Sequence, residues 1–157
     1  MTRKTKSKGS TLLEVLIVAG ILASITLAVL GTLSLLSRFH QKDMLAIKGQ
    51  LLAEEGIEAL RYIKASGWAS LSSIPPGTAR YLALSFSSWS VTDVPEVIDG
   101  SFWRTIKVYQ VARDASGDIV SSGGSIDPNT LLLESTTSWD WRGATSSASY
   151  QAYITNL

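Results

Sequence analysis

The chain of 157 residues contains no cysteine, a single histidine and only four prolines. The absence of cysteine excludes disulfides, thiol nucleophiles and zinc–thiolate sites, and it neither supports nor contradicts a location outside the cytoplasm. Charged side chains are also scarce, at 17% of residues against 45% apolar ones. This composition is typical of an ordered chain, and the length allows one domain with room for an appendage.

Positive charge is concentrated at the N-terminus. The formal net charge is +1, and four of the 14 basic residues precede the first acidic one: Arg3, Lys4, Lys6 and Lys8. Beyond residue 9 the chain carries 10 basic and 13 acidic residues, a net of −3. A nucleic-acid-binding protein keeps a basic patch on its folded part. We therefore expect no nucleic-acid partner.

A long apolar run follows the basic stretch. Residues 15–36 form 22 consecutive positions without a charge. As a helix with ~1.5 Å rise per residue they extend ~33 Å, enough to cross the hydrocarbon core of a bilayer. A secretory signal has a shorter apolar region and a small-residue cleavage site after it. The run therefore predicts a helix that stays in the membrane, with the basic N-terminus inside and the rest of the chain outside.

Glu14 stands directly before this run. A carboxylate near the start of a membrane helix costs up to a few kcal/mol unless it is paired or drawn to the interface. One interpretation is that Glu14 reaches the headgroups or benefits from the helix dipole. The other is that it meets a cation supplied by processing or assembly, and position alone does not decide between them.

Residues 8–17, with the sequence KGSTLLEVLI, resemble the leader and cleavage site of the type IV pilin and pseudopilin superfamily. In that family a prepilin peptidase cuts after the glycine of a short basic leader, and the new N-terminus is methylated. The resemblance implies a leader of residues 1–9, cleavage between Gly9 and Ser10, and N-methylation of Ser10. Family members usually begin with phenylalanine or methionine, and this chain has serine there.

The same resemblance gives Glu14 a partner. The family's glutamate at this position is thought to pair with the N-terminal amine of a neighbouring subunit. Cleavage after Gly9 would create an ammonium group on Ser10, which would neutralise the carboxylate and fix the axial register of two subunits. The implied partners are other pilin or pseudopilin subunits, the prepilin peptidase, an inner-membrane assembly platform and membrane lipid.

The helical pattern continues over residues 37–66. One helical stripe collects mostly apolar residues, while Glu54, Glu58 and Arg61 lie away from it; the stripe consists of Leu45, Leu52, Gly56, Leu60 and Ile63. Ordinary core packing explains this stripe, and residues 51–61 resemble the helix continuation of I/V-type minor pilins and pseudopilins. Gly31 would either loosen the membrane helix or allow another helix to approach closely.

Residues 67–157 predict a β domain outside the cytoplasm. Alternation in residues 102–111 places Arg104, Ile106 and Val108 on one face, and Trp103 and Val111 on the other. Further strands are predicted at 131–141 and 146–154, with a weaker one at 81–86, and turns at 114–118 and 121–124. The predicted fold class is α+β and pilin-like. A long N-terminal helix, with a membrane half at 10–36 and an amphipathic half at 37–66, packs on a small antiparallel sheet of about four strands.

Few side chains suggest chemistry. The single histidine, His40, is expected at the membrane interface, and no nucleophile elbow accompanies it. Asp114, Asp118 and Asp127 lack the ligand spacing of a calcium loop, so a hairpin turn is expected. The five tryptophans are expected to pack in the core and near the membrane, although Trp139 and Trp141 share a strand face that could form a contact patch. We predict no enzyme activity, no metal and no cofactor.

The expected function is a structural subunit, minor pilin or pseudopilin, of a type IV pilus-like filament. The alternative is a single-pass membrane protein that displays a small β domain and never polymerises. The sequence leaves open whether the machine is a pilus, a type II secretion pseudopilus or a DNA-uptake pilus. Before assembly the chain would be a single-pass inner-membrane protein, and after processing it would belong to a surface or periplasmic filament.

Overall fold

The computed structural model describes residues 8–156, with side chains from Thr11 onward. The chain divides into two compact units, Met1–Asp43 and Met44–Leu157, and each is described by itself. The first helix, α1, runs over Lys8–Ala65. The second unit adds a helix α2 and seven strands: α2 Ala69–Ser72, β1 Tyr81–Ser85, β2 Ser88–Thr92, β3 Glu96–Ile98, β4 Phe102–Arg113, β5 Ile119–Val120, β6 Ser125–Trp141 and β7 Ala144–Thr155.

The first unit consists of the apolar part of α1. Its side chains are exposed from Thr11 onward, and α1 is the one helix among the described residues long and apolar enough to cross a membrane. Its hydroxyl groups bond to the carbonyl four residues earlier, with 2.8–2.9 Å between the oxygens; they belong to Ser24, Thr26 and Thr32. These bonds suit an apolar environment, where no water is present to bond a free hydroxyl. The helix is compatible with a single-pass membrane protein.

In the second unit, α1 packs one face against the sheet. Gly56, Leu60 and Ile63 are buried, and Leu45 and Leu52 are half-buried, which confirms the predicted stripe. The residues predicted to lie away from it are exposed, and Arg61 pairs with Glu58 as expected. The helix ends at Ala65, and Gly67 follows with φ +147°. A φ in that range favours glycine, which explains why the helix stops there.

The main sheet is antiparallel throughout, in the order β3-β4-β6-β7, with β5 pairing to the end of β4. The α+β prediction is confirmed, as are the strands predicted at 102–111, 131–141 and 146–154. The segment 81–86 does form a strand, but β1 pairs with β2 in a separate hairpin outside the main sheet. Within residues 67–157, for which the sequence predicts strands, α2 forms a single helical turn that was not predicted.

The prediction that Val111 shares a face of β4 with Trp103 was wrong, because the pairing of β4 with β6 shifts at a β-bulge. Pairing with β6 follows the alternation from Phe102 to Gln110, and then the register shifts between Gln110 and Val111. Across this one step of β4 the partner on β6 changes from Leu131 to Asp127, so the extra residues lie in β6. The buried face of β4 changes at the same point, so Val111 is buried and does not share the solvent face with Trp103. The core lies between α1 and the sheet: Ile57, Ala59, Leu60, Ile63, Leu71, Ile74, Leu82, Ile106, Val108, Leu131, Leu133 and Ile154.

Candidate functional site

The predicted processing point lies at the start of α1. The helix begins at Lys8, so the peptide bond between Gly9 and Ser10 belongs to its first turn. The side chains of both residues lie outside the described part of the chain. Cleavage at this bond and methylation of Ser10 therefore stay predictions.

Glu14 lies in the second turn of α1, and its side chain is exposed. It borders a shallow depression on the helix surface whose other lining residues are mostly apolar: Thr11, Val15, Val18, Ala19 and Leu22. Within the part of the chain whose side chains are described, no cation lies within ion-pair distance of Glu14. Glu14 is thus a carboxylate on an apolar surface, without a cation from residues 11–156.

The surface around Glu14 is apolar on every side of the helix. Leucine, isoleucine and valine side chains from Leu12 to Leu36 are all more than half exposed. A surface of that extent requires lipid or other helices around it. A Cβ added at Gly20 or Gly31 would meet nothing within 4 Å, so both positions are open to a neighbouring helix.

Arg104 forms a buried ion-pair cluster in the second unit. Its side chain is 1% exposed, and its Nε and Nη2 donate to the carboxylate of Glu96 at 2.9 and 2.7 Å. Its Nη1 donates to the carbonyl oxygen of Leu52 at 3.1 Å and to Glu55 at 3.3 Å. The guanidinium also lies 5.3 Å from the centre of the Trp89 ring. These contacts tie α1, β2 and β3 to β4, which is a structural role.

The face of β4 on which Arg104 lies could be predicted from the sequence, whereas the residues that pair with Arg104 could not. Alternation placed this arginine on the face of β4 that carries Ile106 and Val108, and a buried charge requires a partner. The partners come from two other segments of the chain, Glu96 on β3 and Glu55 on α1. No local pattern in the sequence connects these segments with β4.

Two glycines of α1 allow the helix to lie close to the sheet. A Cβ added at Gly56 would collide with the Oγ of Ser135 and approach the Cδ of Arg104 to 3.1 Å. One added at Gly49 would collide with the ring of Trp139. The close approach at Gly56 brings the backbone of α1 within reach of the Arg104 guanidinium.

The aspartates considered for calcium have separate structural roles. Asp114 accepts hydrogen bonds from the backbone N–H groups of Ser116 and Asp118 at 2.9 and 3.0 Å, which confirms the expected hairpin turn. Asp127 accepts from the Thr130 hydroxyl at 2.6 Å and from Arg113 Nε at 2.7 Å. Among the described residues no three acidic or histidine side chains cluster as metal ligands.

The hydrogen bonds to Asp127 stabilise its ionised form. The Thr130 hydroxyl, the Arg113 guanidinium and the backbone N–H of Asn129 lower the pKa of Asp127 from 3.8 to about 2. Hydrogen bonds to a carboxylate favour its charged form in this way. The cluster stabilises the end of the sheet where β4 meets β6.

The remaining candidates do not assemble into a binding site. Trp139 is buried and its ring lies 5.9 Å from that of Phe102, which confirms core packing there. Trp141 is half-buried beside the Arg142 guanidinium, so the two tryptophans do not form one accessible patch. His40 is exposed on α1 in the first unit.

Comparison with known protein families, with curated proteins and with solved structures gave no match for this chain.

Proposed function

We propose that the chain is a structural subunit of a type IV pilus-like filament, processed between Gly9 and Ser10 and assembled through the apolar part of α1. The observation that supports this proposal best is Glu14. It is an exposed carboxylate on an apolar helix surface, and residues 11–156 supply no cation for it.

The energetics favour a partner from outside the helix. An acidic side chain within a membrane helix costs about 3 kcal/mol at the helix centre and less near its end. An ammonium group on Ser10, four residues away and one helical turn distant, would offset that cost. A neighbouring subunit displaced along the helix axis would bring its own Ser10 ammonium to Glu14. Pairing between subunits would then couple charge neutralisation to filament register.

The second unit has the features of a part that is displayed. Residues 44–65 of α1 pack against the core of the β domain through Gly56, Leu60 and Ile63, so this half of α1 is not available to other subunits on that face. The apolar half is free for lipid before assembly and for other subunits afterwards. In this proposal the N-terminus lies inside the cell, the β domain lies outside, and the partners are other subunits, the prepilin peptidase and the assembly platform.

Substitution of Glu14 tests the proposal. Glu14→Val makes α1 more apolar, so membrane insertion should be unchanged. Its incorporation into filaments, measured in the sheared surface fraction or by pull-down of partner pilins, should fall at least about tenfold. A loss of only about 1.4 kcal/mol in subunit pairing suffices for that change.

Glu14→Asp is the matched control, because it keeps the charge at nearly the same place, and it should retain much of the wild-type incorporation. Normal incorporation of the Glu14→Val chain would contradict the proposal. A membrane protein that displays its β domain without polymerising would then be the better account.

A further inference from the structure

A cavity of about 320 Å³ lies beside the β-bulge that separates β4 from β6. Between the β6 residues that pair with Gln110 and Val111, three residues, 128–130, have no partner on β4. The first of them is Pro128, which has no N–H to donate and therefore suits a bulge. We call this cavity the bulge pocket, and its lining residues come from 68–76, 108–110 and 126–131.

Hydrogen bonds between its walls fix the shape of the bulge pocket. Trp68 Nε1 donates to the carbonyl oxygen of Pro128 at 3.2 Å, which joins the start of α2 to β6. The backbone N–H of Gly77 donates to the carbonyl oxygen of Val108 at 2.9 Å, which joins the turn after α2 to β4. Binding sites for small molecules are usually formed before the ligand arrives. The bulge pocket meets that condition.

Much of the lining is apolar. Ile74, Val108 and Leu131 are buried members of the core that also line the pocket. Trp68 adds an aromatic ring, and Pro128 adds a further apolar side chain. The face of an aromatic ring carries negative potential, which attracts C–H groups as well as cations. A ligand with an apolar C–H face therefore suits this lining.

Two polar side chains at the pocket are available to a ligand. Ser72 on α2 and Gln110 on β4 are exposed, and within residues 11–156 no group is hydrogen-bonded to their side chains. A hydroxyl and a primary amide each donate and accept hydrogen bonds. A ligand hydroxyl, which also does both, would pair with either of them.

Asp127 adds a fixed acceptor from the third wall, β6. Its Oδ2 accepts from Arg113 and Thr130, whereas its Oδ1 accepts only from the backbone N–H of Asn129. A carboxylate has about four acceptor positions, and this one is 19% exposed, so Oδ1 can accept from a ligand O–H. Arg113 balances its charge, and no other charged residue in the described chain lines the pocket. The pocket therefore favours a neutral ligand.

We propose that the bulge pocket binds one neutral sugar residue. The C–H face of the ring would pack on Trp68, and its hydroxyl groups would bond to Ser72, Gln110 and Asp127. These polar groups come from three walls, so they suit hydroxyls arranged around a ring better than amides spaced ~3.3 Å apart along a peptide. The volume lies near the lower limit for ligand sites, about 300 Å³, which fits a single ring.

Fluorine NMR of the full chain tests this proposal. The chain carries 5-fluorotryptophan and is purified in a detergent without a sugar headgroup, and Trp68→Phe identifies the Trp68 signal among the five. The probes are the methyl glycosides of glucose, galactose, mannose and N-acetylglucosamine. We expect at least one of them to shift the Trp68 signal saturably, with a dissociation constant of about 1–10 mM, as befits a ligand of about 13–16 non-hydrogen atoms. The signal of the buried Trp139 should stay in place.

Two bulky variants test whether the shift arises in the pocket. Ser72→Phe places a large side chain at the lining and should abolish the saturable shift. Ser73→Phe is the matched control, because it adds the same side chain at an exposed neighbour that does not line the pocket, and it should bind as the wild type does. Gln110→Ala removes one hydrogen bond and should raise the dissociation constant about fivefold. The signals of the other four tryptophans show whether each variant is folded.

Three results would overturn the proposal. The first is the absence of a saturable Trp68 shift with every neutral glycoside at about 100 mM. The second is an undiminished shift in folded Ser72→Phe, which would place the ligand elsewhere. The third is tighter binding of methyl glucuronide, which is charged, or of the uncharged peptide acetyl-Ala-Ala-Ala-amide. The bulge pocket lies wholly in the second unit, so Glu14→Val should bind sugar unchanged whatever its effect on filaments.

Discussion

Removal of the charge on Glu96 should strongly destabilise the β domain. In Glu96→Gln the buried Arg104 guanidinium keeps the carbonyl oxygen of Leu52, the carboxylate of Glu55 at 3.3 Å and one acceptor in the glutamine amide oxygen. It loses the negative charge of Glu96 and one of the two hydrogen bonds at 2.7 and 2.9 Å. Removing one partner of a buried ion pair typically costs about 3–5 kcal/mol. Because Glu55 still contacts Arg104 and Glu96 is 17% exposed, we expect a loss near the lower limit, about 3 kcal/mol.

Urea unfolding of the full chain in detergent measures this loss. All five tryptophans lie in residues 68–141, so their fluorescence reports on the β domain alone. With a denaturant slope of about 1.5 kcal/mol per molar, the midpoint of Glu96→Gln should fall by about 2 M. The control is Asp99→Asn, which neutralises the exposed Lys48–Asp99 pair with a residue that tolerates the positive φ there. Its midpoint should change by less than about 0.7 M, since exposed pairs contribute at most about 1 kcal/mol.

A double-mutant cycle separates the pair from its surroundings. Arg104→Met alone leaves Glu96 without its partner, whereas Arg104→Met with Glu96→Gln leaves neither charge. The double variant should therefore lose less stability than the sum of the single variants, by about 2 kcal/mol. Additive losses, or an unchanged midpoint in Glu96→Gln, would refute the reasoning that this pair is buried and coupled.

Three other variants test separate features of the β domain and of α1. Gly56→Ala should destabilise the β domain by about 1–3 kcal/mol in urea unfolding, because its Cβ would collide with the sheet. The control Gly31→Ala, with open space around it, should leave the urea midpoint of the β domain unchanged. Phe86→Asn with Ser87→Gly should raise the thermal midpoint, because both residues have positive φ in a two-residue hairpin turn that favours Asn-Gly. An unchanged or lower midpoint would contradict the inference that Phe86 and Ser87 are strained in this turn. The folded-state pKa of Asp127, about 2, lies below its usual 3.8, so its stabilising contribution is present above pH 4 and is lost as the pH falls towards 2. Asp127→Asn should flatten that part of the stability profile, and an unaltered acid dependence would show that the carboxylate is not stabilised in the fold.

Regular periodicity explains what could be predicted from the sequence. The apolar run and the stripe through Gly56, Leu60 and Ile63 repeat with the helical period, so α1 could be predicted to within a few residues. The long strands β4, β6 and β7 alternate over enough residues to show one buried face. In each case the signal lies within a single continuous segment.

Short elements and long-range pairs could not be predicted in the same way. β3 has three residues, too few for a period, and its clearest signal was the turn at Asp99 and Gly100 that leads into β4. The bulge before Val111 depends on how β4 pairs with β6. The partners of Arg104 come from distant segments, and their meeting depends on tertiary packing.

The mass of the N-terminal peptide tests the central claim most directly. The chain is purified from membranes of cells with an active prepilin peptidase, and its N-terminal peptide is analysed by mass spectrometry, with Gly9→Val as the matched variant. A processed subunit begins at Ser10 and carries an N-methyl group, and the bulkier residue in Gly9→Val should block the cut and leave residues 1–9 attached. A wild-type chain that still begins at Met1 or Thr2 in those cells would contradict the account.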